Sequence, residues 1–307
     1  MRTTLYIILF TFSYTLNGQS FEYVYRSPSD SSFNCYVKIF PKTDSIKGLI
    51  VRDYSNLPDV SKKSPYEFVK MASESGIMTI ITNTSPQFPE LFTIDSTIKI
   101  LDEIIQEVID KHNIPKDNIF IGGISSSGTR ALRYAQFSAE GKTNIEIRGV
   151  FVVDSPLDLE RFYNSAFNHK KNFSEGMLWE ANLILPLIKS MFDGSPEEHS
   201  EAYRNSSVFS HNDSLGGNAF LLQKTDIIIF HEPDIDWWIN ERGCSYYDIN
   251  SYDLVAFTVL LKQLGNQNID LITTSGKGFD RNGNKKPHSW TIVDEEFLIN
   301  WILKRID

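Results

Sequence analysis

The chain contains short apolar runs separated by segments in which polar and apolar residues mix. These runs are rich in β-branched and aromatic residues and carry few charges, which is typical of strands buried on both faces of a sheet. The runs are GLIVRDY (48–54), GIMTIIT (76–82), NIFIG (118–122), RGVFVVD (148–154), TDIIIFH (225–231) and IDLITT (269–274).

Between the apolar runs, the hydrophobic spacing changes to that of amphipathic helices. The clearest case has Ile94, Ile98, Leu101, Ile105 and Val108 at three- or four-residue intervals, which predicts a helix that ends near residue 112. Further helices are predicted at 65–75, 126–137 and 292–305. Alternating strands and helices predict an α/β fold with a mostly parallel central sheet and helices on both faces.

The N-terminal part adds antiparallel strands to this pattern. The β-rich runs FEYVYRSP (21–28) and FNCYVKIFP (33–41) are joined by serine and aspartate residues, and this arrangement predicts a hairpin at one edge of the sheet.

One connection is too long for an ordinary loop. About 70 residues separate the strand that ends at Asp154 from the one that begins at Thr225. Within them, 173–192 has helical spacing. We therefore expect a helical lid insertion over 155–220.

The first 18 residues have the pattern of a secretory signal peptide. Arg2 precedes an apolar core from Leu5 to Phe12, and a polar stretch follows. The alternative is a buried first strand. We expect a secreted or periplasmic protein with one domain over 19–307, and no other apolar run approaches the ~20 residues that span a bilayer.

Composition narrows the possible partners. The 307 residues carry a net charge of −9, and no basic run or RNA-binding aromatic motif is present, which argues against a nucleic-acid partner. The two cysteines, Cys35 and Cys244, cannot form a zinc site alone, and whether they pair stays open. We expect no metal and no cofactor; the oligomeric state is not encoded in any pattern that we find.

The stretch IGGISSSGTR (121–130) lies where a predicted strand ends and a helix begins. A nucleophilic serine in such a turn needs small residues two positions before and after it. Ser125 fits best, because Gly123 precedes it and Ser127 follows it. The sequence departs from G-x-S-x-G by having serine at the last position.

A serine needs a base to take its proton and a third group to orient that base. His288 is the preferred base, because it lies in a loop between the last strand and the closing helix. Asp234, just past the strand 225–231, is the preferred acid, with Asp154 and Asp236 as alternatives.

The order Ser125, Asp234, His288 resembles the α/β-hydrolase superfamily, and the resemblance covers nearly all of the chain after the leader. The hairpin, the strand-to-helix turn at Ser125 (a nucleophile elbow), the segment 195–211 and PHSW (287–290) are similar to secreted esterases and to the catalytic domains of prolyl-oligopeptidase-like peptidases. The resemblance implies an oxyanion hole formed by the backbone N–H of Ser126 and one from Tyr54 or Ser55.

The sequence departs from this family at two points. Asp53-Tyr54-Ser55 stands where the family often has His-Gly, and His231 replaces the usual glycine before the acid.

These features predict a secreted serine hydrolase that cleaves small-molecule carboxylic esters, of class EC 3.1.1, through an acyl-enzyme. A serine peptidase of the prolyl-oligopeptidase type is one alternative, although such enzymes usually carry a further domain. A binding protein that keeps the fold without catalysis is the other.

Overall fold

The computed structural model describes residues 10–16, 19–27, 31–59, 67–85 and 95–306. The strands are β1 (Phe10–Leu16), β2 (Gln19–Tyr25), β3 (Cys35–Ile39), β4 (Gly48–Asp53), β5 (Ile77–Asn83), β6 (Ile119–Ile124), β7 (Gly149–Val153), β8 (Asp226–His231) and β9 (Ile269–Thr273). The α-helices are α1 (Glu67–Glu74), α2 (Asp95–His112), α3 (Ser126–Ala139), α4 (Leu159–His169), α5 (Glu175–Met191), α6 (Pro196–Ser206), α7 (Ile235–Trp237), α8 (Ser251–Gln263) and α9 (Glu295–Leu303).

The chain forms two compact units. The first contains the described residues up to Ile121 together with 145–148 and the chain from Glu295 onward. The second contains 122–144 and 149–294. Strand β6 contributes its first half to one unit and its second half to the other.

In the first unit the strand order is β1-β2-β3-β5-β4-β6. Strands β2 and β3 pair antiparallel, so the predicted hairpin is confirmed, while β4 pairs parallel with both β5 and β6. Lys38 of β3 is fully buried, and its ammonium lies 2.8 Å from the carboxylate of Glu22 directly opposite on β2. This pairing offsets the cost of burying the charge.

Helix α2 confirms the amphipathic pattern read from the sequence. Its side chains at Ile98, Leu101, Ile105 and Val108 are all buried, whereas Ile94 lies outside the described residues. The apolar stripe therefore faces the core of the first unit.

In the second unit the order is β6-β7-β8-β9, and β7 pairs parallel with β8, as β8 does with β9. All residues of β7 and five of the six in β8 are buried, as expected for central strands covered on both faces. The fold is thus a mostly parallel sheet with antiparallel strands at its N-terminal edge and helices around it.

Helices α4, α5 and α6 occupy the long segment between β7 and β8. Helix α5 matches the helical spacing found at 173–192. That this insertion acts as a lid remains a prediction.

The proposed leader, residues 1–18, lies partly outside the described residues, which exclude 1–9, 17 and 18. Residues Phe10–Leu16 form β1, which pairs antiparallel with β2. The signal peptide remains a prediction. Within the described part of the chain, no helix combines the length and apolarity required to cross a membrane.

Both cysteines are buried and carry free thiols. Burial is the main cause that raises the pKa of Cys244 to about 12, and the nearby charge of Asp248 adds to it. A thiol with such a pKa stays protonated and unreactive at neutral pH.

Candidate active site

Ser125 occupies a strained turn between β6 and α3. Its φ of 56° and ψ of −131° are unusual for a residue that is not glycine. The strain exposes the side chain at the start of a helix, where unpaired backbone N–H groups favour negative charge. This local geometry is the one that a nucleophile elbow requires.

The small residues around Ser125 are required by close packing. A Cβ at Gly123 would lie 2.5 Å from the Cβ of Ser127, so only glycine fits two positions before the serine. A Cβ at Gly128 would collide with the Ser155 hydroxyl and lie 2.8 Å from the Gly123 carbonyl oxygen. Ser127 is tolerated in place of glycine because Gly123 leaves room for its Cβ.

His288 pairs with Asp154. Its Nδ1 lies 2.6 Å from Asp154 Oδ2. Asp154 directly follows β7, and the backbone N–H of Ser125 donates to the carbonyl of Val153, one residue earlier, at 2.9 Å. The serine and the His–Asp pair therefore lie at the same end of the second unit's sheet.

Asp154 also binds a second histidine that the sequence reasoning did not assign to the site. His231 Nδ1 lies 3.0 Å from Asp154 Oδ1, and its Nε2 lies 2.5 Å from the Ser251 hydroxyl. The Asn250 side-chain amide donates to the Asp154 carbonyl at 2.9 Å. Both carboxylate oxygens of Asp154 are thus held by imidazoles, and His231 is buried.

The electrostatics of the pair follow from this arrangement. Burial opposes ionisation of Asp154, but the charge of His288 and the hydrogen bonds from both histidines outweigh it and hold the pKa of Asp154 well below its usual range. Burial likewise opposes protonation of His288, but the charge and hydrogen bond of Asp154 raise the pKa of the imidazole above 6.5. The carboxylate stays ionised and stabilises an imidazolium.

Asp234, the acid preferred from the sequence, is held elsewhere. Its carboxylate accepts from the backbone N–H of Trp237 at 3.2 Å, which caps α7, and lies 3.2 Å from the Lys285 ammonium. The carboxylate that His288 contacts is that of Asp154, one of the two alternatives to Asp234. Asp234 is held away from this role because α7 begins directly after it and its side chain serves as the N-cap of that helix.

The Lys285 ammonium ties the histidine loop to the end of β8. It binds the buried carboxylate of Glu232 as well as Asp234. Glu232 also accepts from the Thr274 hydroxyl and the Lys277 N–H, both at 2.9 Å. These contacts position the loop 274–288 that carries His288.

Tryptophans near the site serve mainly in packing. Trp290 is buried and meets the ring of Phe151 on β7 edge to face at 6.3 Å. Trp238 is buried with its ring 6.4 Å from that of His288. Trp290 thereby fixes the far side of the histidine loop.

The oxyanion donors predicted from the sequence have different local environments. Ser126 is the first residue of α3, where N–H groups lack partners inside the helix. The N–H of Tyr54 donates to the Thr82 carbonyl at 2.8 Å and extends the pairing of β4 with β5. That N–H is already engaged within the first unit, and the Tyr54 hydroxyl accepts from the Arg52 guanidinium.

His231 had a weak signal in the sequence. It ends a predicted strand in FHEPD, at the position where the resemblance to α/β-hydrolases implies glycine. A histidine at the carboxyl end of a buried parallel strand can reach the next strand's end, but nothing in the sequence indicates which neighbour it meets.

The fold is similar to solved structures of α/β-hydrolases. Acetyl xylan esterase 1 from Thermoanaerobacterium sp. JW/SL YS485 has a TM-score of 0.59 at 12% identity, over 98% of this chain and 88% of that one. Carboxyl esterase 2 from Tuber melanosporum has a TM-score of 0.58 at 12% identity, over 100% and 90% of the two chains.

The acylaminoacyl peptidase of Pyrococcus horikoshii has a TM-score of 0.58 at 12% identity, over 97% of this chain. This chain spans only 42% of that peptidase's length. No family model and no curated protein matches the sequence. At such low identity the likeness shows the fold alone: the chain has the α/β-hydrolase fold, as the sequence resemblance predicted.

Proposed function

We propose that this protein is a serine hydrolase that cleaves carboxylic esters, with Ser125 as nucleophile, His288 as base and Asp154 as the orienting acid. The observation that carries the proposal is the 2.6 Å contact between His288 and Asp154 beside the strained turn at Ser125. Three residue types needed for acyl transfer occur at one end of one sheet.

The first half of the reaction forms an acyl-enzyme. His288 donates its Nδ1–H to Asp154, which leaves Nε2 as the proton acceptor. Nε2 removes the Ser125 proton as the oxygen attacks the ester carbonyl and a C–O bond forms. The tetrahedral intermediate then collapses, and the imidazolium returns the proton to the departing alcohol.

The second half releases the acid. Water attacks the acyl carbonyl, His288 takes one of its protons, and the proton passes to Ser125 as the acyl–oxygen bond breaks. In both halves the negative oxygen needs donors, and we assign one to the Ser126 N–H at the start of α3. Losing one such donor typically costs about 3 to 4 kcal/mol of transition-state stabilisation.

The preference for esters is supported by two features. An alkoxide leaves more readily than an amide nitrogen, so ester cleavage needs less assistance from the His–Asp pair and the helix N-terminus than amide cleavage does. Acetyl xylan esterases and a carboxyl esterase are also among the proteins of similar fold, and they match over most of their own length.

Covalent labelling tests the assignment of the nucleophile. A fluorophosphonate probe should label the wild-type protein and leave Ser125→Ala unlabelled, with p-nitrophenyl acetate hydrolysis lost in parallel. Ser127→Ala is the matched control, because it keeps the Cβ that packs on Gly123 and should retain labelling. Labelling that persists in Ser125→Ala would overturn the proposal.

The alternatives give other outcomes. A peptidase would cleave short peptides in preference to p-nitrophenyl esters. A protein that keeps the fold without catalysis would react with no activated ester and no probe, although its circular dichroism and unfolding transition would be those of a folded chain.

A further inference from the structure

A cavity of about 260 Å³, lined by polar and aromatic residues, lies in the second unit, apart from the residues assigned to catalysis. It is formed by α4, the segment around His211, Tyr247, and Tyr252 in the first turn of α8. The lining residues are Asp158, Glu160, Arg161, Asn164, Ser165, Asn168, His169, His211, Asn212, Tyr247 and Tyr252. Because this volume is near the ~300 Å³ lower limit of small-molecule pockets, it suits one small ring.

Two histidines of the cavity are fixed by buried carboxylates. His169 Nδ1 lies 2.5 Å from Asp248 Oδ1, and His211 Nε2 lies 3.0 Å from Asp253 Oδ1. Each imidazole therefore has a set orientation and a second ring nitrogen that no described residue binds. Arg161 also lines the cavity, and its guanidinium is paired with the carboxylate of Asp253.

The remaining polar groups supply both donors and acceptors. The side-chain amides of Asn164 and Asn168 make no hydrogen bond to the part of the chain that the structure describes. Asn212 donates to Glu160 Oε1 at 2.8 Å, which leaves the other Glu160 oxygen as an acceptor. An amide can donate and accept at once, which matches the behaviour of a hydroxyl group.

The apolar surface of the cavity is aromatic. Tyr247 is 61% exposed, and Tyr252 stacks on the His211 ring with centroids 4.2 Å apart and an interplanar angle of 14°. None of the described residues that line the cavity has an aliphatic hydrocarbon side chain. A flat ring face beside fixed polar groups suits a ligand with one apolar face and many hydroxyls.

Among the described residues that line it, the cavity offers no unpaired cation to an anionic ligand. Arg161 and His211 are paired with Asp253, and His169 is paired with Asp248, while Asp158 and Glu160 add carboxylates to the lining. This lining does not favour phosphate, sulfate or uronate groups. Together, these observations favour a neutral polyhydroxylated ring.

We propose that this cavity binds a neutral sugar unit, with Tyr247 stacked on the sugar ring and Asn164, Asn168, Glu160 and His169 binding its hydroxyls. The inference is independent of the proposed hydrolysis, because it rests on a set of residues that excludes Ser125, Asp154 and His288.

The experiment is saturation-transfer NMR on the wild-type chain with methyl β-D-xyloside, methyl β-D-glucoside, choline and glucuronate as probes. We expect at least one neutral glycoside to bind and glucuronate not to bind. Tyr247→Ala should weaken the glycoside about fivefold, the scale of one aromatic contact. Asn168→Ala should weaken it as well.

Tyr246→Ala is the matched control, because Tyr246 is an exposed neighbour in the same aromatic cluster but does not line the cavity. It should leave glycoside binding unchanged. Binding of choline alone, binding of no glycoside, or an equal loss in Tyr246→Ala and Tyr247→Ala would each overturn the proposal. Hydrolysis of p-nitrophenyl acetate is measured in parallel, and we expect Tyr246→Ala to retain the wild-type rate.

Discussion

The Asp154 carboxylate is shared by two imidazoles with different surroundings. His288 has an exposed fraction of 32%, whereas the side chain of His231 is 2% exposed. Only the more exposed ring can exchange a proton with a substrate. We therefore infer that His231, itself held by the Ser251 hydroxyl, positions the Asp154 carboxylate through one oxygen and leaves the opposite oxygen to His288.

The choice between the two candidate acids can be tested by paired substitutions. Asp154→Asn keeps the shape and tolerates the φ of 44°, but it favours the wrong tautomer of His288, so we expect kcat to fall by about 10⁴. Asp234→Asn keeps an N-cap, because asparagine also caps helices well, and removes only the negative charge that meets Lys285, so kcat should fall by less than about tenfold. The measurement is p-nitrophenyl acetate hydrolysis; the reverse ranking would restore Asp234 as the acid.

The positioning role of His231 is tested by a pH profile. Because the pKa of His288 is raised above 6.5 and only the neutral imidazole acts as base, kcat/KM of the wild type should increase with pH through a value above 6.5. His231→Gln removes one partner of Asp154 and leaves more of its charge to His288. The rise of kcat/KM with pH, which is the acid limb of the profile, should then move to higher pH.

Ser251→Ala is the companion variant, because it removes the hydrogen bond that orients His231 without touching Asp154. It should shift the limb in the same direction by a smaller amount. If both variants lower kcat or stability with an unmoved limb, His231 is merely a packing residue.

At the scale of strands and helices, hydrophobic periodicity predicted most of the second unit. The runs VFVV and IIIF are β7 and β8, and the elbow lies at the predicted junction of β6 with α3. Hydrophobic patterns could not predict which carboxylate contacts His288. Asp154 and Asp234 each follow a strand and lie within two residues of a proline, so the local sequence does not distinguish them. Which carboxylate His288 contacts depends on where Trp290 and Lys285 hold the loop that carries it.

The packing of α3 against β7 gives a prediction about the elbow. Gly128→Ala places a Cβ against the Ser155 hydroxyl and the Gly123 carbonyl, so α3 must shift and the free energy of unfolding should fall by about 1 to 3 kcal/mol. Because Ser125 is in the same turn, kcat should fall as well. Urea unfolding and ester hydrolysis measure the two effects.

Gly176→Ala is the control for this substitution. It lies in α5, where the added Cβ meets only the Arg242 guanidinium at 3.4 Å, an ordinary contact. Alanine has the higher helix propensity, so stability should be unchanged or increased by up to about 1 kcal/mol. Equal destabilisation by both alanines would argue against tight packing at the elbow.

At the scale of the whole molecule, the predicted leader, residues 1–18, overlaps β1. The two interpretations of this segment, cleaved leader or part of the fold, predict different N-termini for the exported protein. Strand β1 lies at an edge and pairs only with β2 among the described strands, so its removal would expose one edge and leave the remaining pairings intact. When the full chain is expressed with export to the periplasm, we expect an intact mass that corresponds to a start at Gln19. Retention of residues 1–18 in the exported, active protein would show that they belong to the mature fold.

Acid stability is the second property of the whole chain, because three carboxylates of the second unit are held ionised by partners. The partners of Asp154 and Asp248 lower their pKa values, and Arg161 with His211 lowers that of Asp253 to about 2, in each case against burial. A carboxylate with a lowered folded pKa stabilises the fold above its unfolded pKa of about 3.9 and loses this contribution as the pH falls toward the folded value.

The free energy of unfolding should therefore decrease steeply between about pH 4 and pH 2. Asp253→Asn leaves the buried Arg161 charge without its partner, and we expect it to cost about 3 to 5 kcal/mol at pH 6 and to flatten the acid slope. Asp117→Asn, at an exposed site, is the control and should change neither quantity. Urea unfolding at pH 6, 4 and 3 measures both. If Asp253→Asn kept the wild-type slope, the acid sensitivity would have to come from other groups.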